Sequence, residues 1–386
     1  MTDELQTKRI TQVLWLIAVT LFLQVYLSYN LWIPIDRTYP IVPFFDGLPI
    51  NLGNGLTSFF SVAMLGCVLS AAVFVHYRKW LLPIALFLLA ILILDDLNRL
   101  QVWIFIYMGL LGVLAIHAWQ KLTTPMAWRS LQFIVAVVYF WTGTQKLNAH
   151  FNENVYSWLI GIFESTAWLK DNYLSTGYLV GATELLIGLA LFWRKTQKAA
   201  VLFVALLHFS ILLLLIKYDA WNTVVYPWNI AMIVLVVLLF WQSQQSIVTD
   251  KHKRPTAWVL LLFGLAPILD FGGYWMHELS FGMYSGISLE GQLYFDDYAA
   301  DDCVPEVFWA DDLLYQSKEE SALSLDDWAM ENLNVPPIST PYAFRTTAKE
   351  FCACLKKHHW KGGLELEYTP RWSQNKRKVL IPMKEL

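Results

Sequence analysis

Nine apolar runs fill the first three quarters of this chain, at roughly 10–32, 56–76, 80–95, 102–119, 129–147, 176–193, 198–217, 222–242 and 256–276. Their length is the constraint. About 20 apolar residues rise about 30 Å as a helix, the thickness of a bilayer core. In lipid no water satisfies a bare backbone N–H or C=O, so such runs fold as helices. Composition agrees: of 386 residues 56% are hydrophobic and only 15% charged, against about 25% charged in a soluble domain. Nineteen tryptophans suit aromatic belts at two membrane interfaces. The sequence therefore predicts an all-α polytopic membrane helix bundle of nine spans over 1–278, followed by a small polar α+β appendage at 279–386. A net charge of −3 without a basic stripe argues against a nucleic-acid partner. The bilayer is the first partner.

Orientation follows from Lys and Arg. With the N-terminus inside, twelve fall in inner segments: Lys8, Arg9, Arg78, Lys79, Lys121, Arg129, Arg194, Lys195, Lys198, Lys251, Lys253 and Arg254. Five fall outside: Arg37, Arg99, Lys146, Lys170 and Lys217. The positive-inside rule then places the N-terminus in the cytoplasm. Nine spans put the C-terminal appendage on the extracytoplasmic side of a bacterial inner membrane. The first run follows Lys8 and Arg9 and reads as an uncleaved anchor. The connection at 148–175 is apolar but broken by Glu164 and Lys170, which predicts short helices lying in the interface.

The appendage opens with acidic pairs, Asp296-Asp297, Asp301-Asp302 and Asp311-Asp312. "TTAKEFCACLKK" reads as a short helix capped by Thr346 or Thr347. "GGLELEYTPRWSQNKRKVLIP" reads as two strands joined by a polar turn. Cys67 sits in an apolar run as a small hydrophobe. Outside the cytoplasm, Cys303 is expected to bridge to Cys352 or Cys354. Cys352, Cys354, His358 and His359 match no standard metal spacing, and no metal is predicted.

Polar residues gather at the outer ends of the predicted spans. They are Asp36 and Arg37; Asp95, Asp96, Asn98, Arg99 and Gln101; Thr142, Thr144, Gln145 and Lys146; Trp221, Asn222, Tyr226, Trp228 and Asn229; and Asp270, His277 and Glu278. Most such residues are ordinary caps and solvated turns. Their concentration on one side predicts a site between helices that opens outward. "YFWTGTQKLNAHF" (139–151) stands out, because it carries a lysine directly out of the run Ile134-Val135-Ala136-Val137-Val138. Thr-Gly-Thr lets another helix approach closely. A partly desolvated lysine in that crowded place can serve as an amine base. Glu184 and His208 lie mid-span, where ionisable groups are functional candidates. A mutual hydrogen bond is their plain alternative.

This motif resembles the Y-F-x-A-G-x-K-K-L-D-A-x-W stretch of vitamin K-dependent gamma-carboxylases and their bacterial relatives, the HTTM membrane proteins. Tyr139, Phe140, Gly143, Lys146, Leu147 and Ala149 match. "LDDLNRLQVW", "YPWN" (226–229) and "FGMYS" (281–285) are similar to further family segments. The resemblance implies a site on the lumenal or periplasmic face and a reduced, vitamin K-type quinone. It implies Lys146 as catalytic base; Asp95, Arg99, Gln101, Tyr139, Gly143, Gln145, Tyr226, Trp228 and Asn229 are the candidate substrate-binding set. Gln145 stands where the family has a first lysine, and Leu100-Gln101-Val102-Trp103 where it has its histidine. The short appendage replaces a large lumenal domain. The expected activity is thus carboxylase-like and quinol-dependent. A non-catalytic quinone or lipid binder that recruits a periplasmic protein partner is the alternative.

Overall fold

The computed structural model describes residues 3–48, 50–162, 164–218, 222–243, 246–247, 254–296, 303–305, 308, 314–316, 320–373 and 375–386. Trp221, Lys251, Lys253, Asp297, Asp301, Asp302, Asp311 and Asp312 lie outside the described residues.

Every predicted apolar run is helical. The helices are α1 (Asp3–Leu27), a short α2 (Tyr29–Trp32), α3 (Gly53–Val73), α4 (Arg78–Asp95), α5 (Val102–Ala118) and α6 (Thr124–Gln145). After α7 (Ser157–Gly161) and α8 (Glu164–Asn172) come α9 (Gly177–Ala190), α10 (Arg194–Tyr218) and α11 (Val225–Phe240). A mixed helix, α12 (Ala257–Gly272), closes the series.

The span count is corrected. Among the described residues four helices are long and apolar enough to cross a membrane: Leu5–Leu27, Gly53–Val73, Val75–Asp95 and Arg194–Lys217. A fifth arises if Glu164–Lys170 and Leu174–Ala190, bent by 103°, count as one broken span. The physical reason is length and polarity. The 14 residues of α9 rise only about 21 Å at 1.5 Å per residue, and α5, α11 and α12 have 17, 16 and 16 residues. Helix α6 is long enough at 22 residues, but Arg129 and Gln132 interrupt it.

The chain divides into two compact units. The first contains 1–27, 59–90 and 101–286, and the second contains 28–58, 91–100 and 287–386. The boundary thus lies at 286/287 rather than 278/279, and two earlier segments, Asp95 and Arg99 among them, join the appendage.

In the first unit α6 and α9 meet closely. A Cβ on Gly143 would lie 2.2 Å from the Leu185 nitrogen, and one on Gly188 would lie 2.3 Å from the Phe140 nitrogen. Only glycine permits backbones to approach this way. In the second unit an antiparallel sheet runs in the order β2-β3-β1-β4-β5, with β1 at Leu289–Asp296, β2 at Leu314–Gln316, β3 at Glu320–Ser324, β4 at Gly362–Tyr368 and β5 at Arg377–Pro382. Strand β1 alternates buried and exposed residues, so one face is core. Helices α13 (Leu325–Leu333) and α14 (Pro341–Lys357) pack there, with Phe351 5.3 Å from Phe295 and 6.1 Å from Trp328 by ring centroids. The predicted caps of α14 are replaced by Thr340, whose hydroxyl accepts from Ala343 N–H at 3.1 Å, with Pro341 at the first helical position.

The disulfide joins Cys303 to Cys354. Cys352 is free and buried, and burial pushes its thiol up to about 11. Asn332 ties segment 28–58 into this unit, accepting from the N–H groups of Thr38 and Tyr39 at 2.9 Å each. Ile338 N–H donates to Asn98 at 3.2 Å.

Candidate functional site

Successive residues on a helix point about 100° apart, so neighbours serve different surroundings. Lys146 caps the C-terminal end of α6, and its ammonium meets Glu184 of α9 at 2.6 Å. The two side chains are 13% and 7% exposed. The Gly143–Leu185 approach brings these two chain segments within reach. Gln145, one residue back, faces elsewhere. Its amide donates to Asp270 Oδ2 at 3.0 Å and to the Ser280 carbonyl at 3.3 Å. Asp270 Oδ2 also meets His277 Nδ1 at 2.9 Å.

Tyr139 lies two turns before Lys146 on α6. Its hydroxyl is 2.8 Å from His208 Nε2, and His208 Nδ1 is 2.6 Å from Asn229 Oδ1. Asn229 donates its amide to the Val225 carbonyl at 2.7 Å, which leaves its oxygen as acceptor. His208 therefore carries its proton on Nδ1, and Tyr139 donates to the neutral Nε2. Glu184 and His208 do not form a mutual bond; each takes another partner. Tyr139, His208 and Asn229 are all buried, so these polar groups are one another's main recourse.

The remaining predicted residues divide. Gln101 is 5% exposed and caps α5 through its backbone. Tyr226 and Trp228 are half-buried, Trp228 with its ring 5.9 Å from that of Tyr107. Asp95 and Arg99 belong to the second unit, where Arg99 Nη1 donates to Asp95 at 2.8 Å and to the Leu92 carbonyl at 2.7 Å. Beside them Arg37 meets Asp96 at 2.7 Å. Burial pushes the Asp96 carboxyl up, but the guanidiniums of Arg37 and Arg99 outweigh it and hold the group below its usual range. Both aspartates also accept backbone N–H groups, from Leu52 at 3.0 Å and from Val42 at 3.2 Å.

A cavity of about 680 Å³ lies in the second unit, lined by Asp95, Trp328, Phe351, Glu350 and the Cys303–Cys354 disulfide among others. None of the Lys146 cluster lines it, so its size alone does not mark the chemistry. The Cys352–His359 stretch is not a ligand set, since Cys354 is in the disulfide and His358 stacks on Trp360 at 4.6 Å. Among the described residues no three His, Cys, Asp or Glu side chains are grouped to hold a metal ion.

Reading the sequence found Lys146, Glu184 and His208, but not which of them pair. It also passed over Asp270 and His277 as a pair with Gln145, since nothing in "LDFGGYWMHELS" announces a carboxylate–imidazole contact seven residues apart. Chemically, the first unit offers an amine–carboxylate pair in a nearly dry setting. Compared with protein-family models, curated proteins and solved structures, the chain matches none.

Proposed function

We propose that this protein is an integral membrane enzyme, carboxylase-like in its use of a quinol, with Lys146 as general base and Glu184 as its partner. The observation that carries the reading is the 2.6 Å contact between two nearly buried, oppositely charged side chains on apolar helices. Ionisable groups so placed are retained for chemistry more often than for stability. The pair fits a ring hydroxyl: it offers hydrogen-bonding groups in a nearly buried setting between two helices. A bound quinol would supply an acidic hydroxyl and reducing electrons. With the proton of the pair on Glu184, the neutral Lys146 amine would take the hydroxyl proton at Nζ, and the ammonium so formed would stay hydrogen-bonded to Glu184.

A cytoplasmic N-terminus and an extracytoplasmic appendage remain part of this proposal. Two findings support that orientation. Of the five positive charges assigned outside, Arg37, Arg99 and Lys146 are each neutralised by a carboxylate at 2.6–2.8 Å. Disulfides persist in oxidising compartments, and the appendage contains one.

The test is oxygen uptake by the protein in nanodiscs supplied with a vitamin K-type quinol. Lys146→Met, Lys146→Arg and Glu184→Gln should each lose about 10²–10⁴-fold, the usual worth of acid–base catalysis. Wild-type uptake that Lys146→Arg leaves unchanged would remove the lysine from the mechanism. A quinone that co-purifies without any turnover would favour the binding-protein reading instead.

A further inference from the structure

Asp270, His277 and Ser285 form a relay that the lysine chemistry does not use. His277 Nδ1 lies 2.9 Å from Asp270 Oδ2, and its Nε2 lies 2.8 Å from Ser285 Oγ. A carboxylate only accepts, so Nδ1 bears the proton, and Ser285 donates its own to the Nε2 lone pair. Gln145 holds the same aspartate oxygen from the other side at 3.0 Å. This is the order of contacts that turns a serine hydroxyl into a nucleophile.

The turn that carries the serine is built to hold this geometry. A Cβ on Gly282 would lie 2.1 Å from His277 Nε2, so only glycine lets the imidazole lie across the turn. Gly282 N–H donates to the His277 carbonyl at 3.0 Å, and Ser285 N–H to the Gly282 carbonyl at 3.1 Å. Asn148 donates to the Ser285 carbonyl at 2.9 Å. Two bulky residues of the turn, Phe281 and Tyr284, sit at φ 61° and 55°. Aromatic side chains rarely adopt that region, and such strain clusters at functional sites. The Phe281 ring lies 6.1 Å from Phe105 and 6.5 Å from Phe263, which makes an apolar aromatic wall beside the turn.

We propose that Ser285 is a nucleophile, activated by His277 and Asp270, that takes the acyl group of carboxylic esters with apolar chains. Ser285 Oγ bonds to the carbonyl carbon while His277 Nε2 takes its proton. The ester C–O bond breaks, and the leaving alcohol receives that proton. Water then releases the acid by the same route, and the serine is restored. Gly286 supplies the backbone N–H that follows the serine, where acyl-transfer sites draw one oxyanion donor. Ser285 is 1% exposed and the His277 side chain 22%. The ester therefore enters from the side of the imidazole, the more exposed of the two groups.

The test is an alkyl fluorophosphonate applied to the full chain in nanodiscs, with the adduct mapped by peptide mass spectrometry. It needs neither quinol nor oxygen, so it stands apart from the lysine reading. The expected result is an adduct on Ser285 of the wild type, formed about 10²–10⁴-fold more slowly by His277→Gln. No adduct at Ser285 in wild-type protein that retains its Cys303–Cys354 bridge would overturn the proposal. So would an adduct whose rate His277→Gln leaves unchanged.

Discussion

The two units treat buried charge in different ways. In the second unit Asp96 accepts from Arg37, from the N–H groups of Val42 and Asn98, and from the Asn98 side chain. Arg37 in turn donates to the carbonyls of Tyr39 and Pro40. Such a cluster is close to saturated, and it fixes where three chain segments lie. In the first unit Lys146 and Glu184 have, among the described residues, only each other as side-chain hydrogen-bond partners. An ammonium has three donors, so most of this group's capacity is unspent. Saturation is the mark of a structural cluster, and spare capacity leaves room for a ligand.

The largest effect should come from breaking the saturated cluster. Asp96→Ala leaves the buried Arg37 guanidinium without its carboxylate, and it should destabilise the second unit by about 3–5 kcal/mol, read by chemical denaturation. Its linkage has a definite sign. The folded-state Asp96 titrates below the unfolded value, so its contribution is complete above about pH 4 and falls away as pH drops further. Glu184→Gln should cost less, about 1 kcal/mol, because the amide oxygen can still accept from Lys146. The same melt measures it. Equal losses for the two variants would erase the contrast between structural and reactive pairs, and would make Lys146–Glu184 a structural bridge.

Much of the helical plan was legible because each apolar run exceeds a helical turn many times over, and nothing but a helix satisfies its backbone. Membrane crossing was less so, since a single polar pair such as Arg129 and Gln132 decides whether α6 reads as a span. Arg129, counted among the inner charges, is buried and donates to the carbonyls of Ser246 and Ile247 at 2.9 Å each. The site was half legible. Lys146 and Glu184 stand out as charges on apolar helices, but their pairing depends on the Gly143 and Gly188 crossing, which no local pattern encodes. The pairing of Asp95 with Arg99 inside the second unit was not legible for a similar reason. Their surroundings are set by contacts such as Asn98 to Ile338, 240 residues apart.

Asp326 sharpens the comparison as a third kind of buried carboxylate, one without a counter-charge. It opens α13, half-buried, and its Oδ2 has no hydrogen-bond partner among the described residues. Burial, with Glu290 and Asp327 nearby, pushes its carboxyl up to about 7. The sign is opposite to that of Asp96. Between about pH 4 and 7 the folded state binds the extra proton, so stability falls as pH rises through that window. Tyr39 also faces Asp326 and feels its charge, and burial keeps that phenol neutral throughout. Asp326→Asn keeps the shape and removes the ionisation. At pH 8 the variant should be more stable than wild type by about 1 kcal/mol, a figure reduced for the solvent that reaches a half-buried group. At pH 4 the two should coincide. Melts at both values decide it: an equal gap at pH 4 and pH 8 would mean that the asparagine acts through packing, and that the unpaired carboxylate is already relieved by solvent.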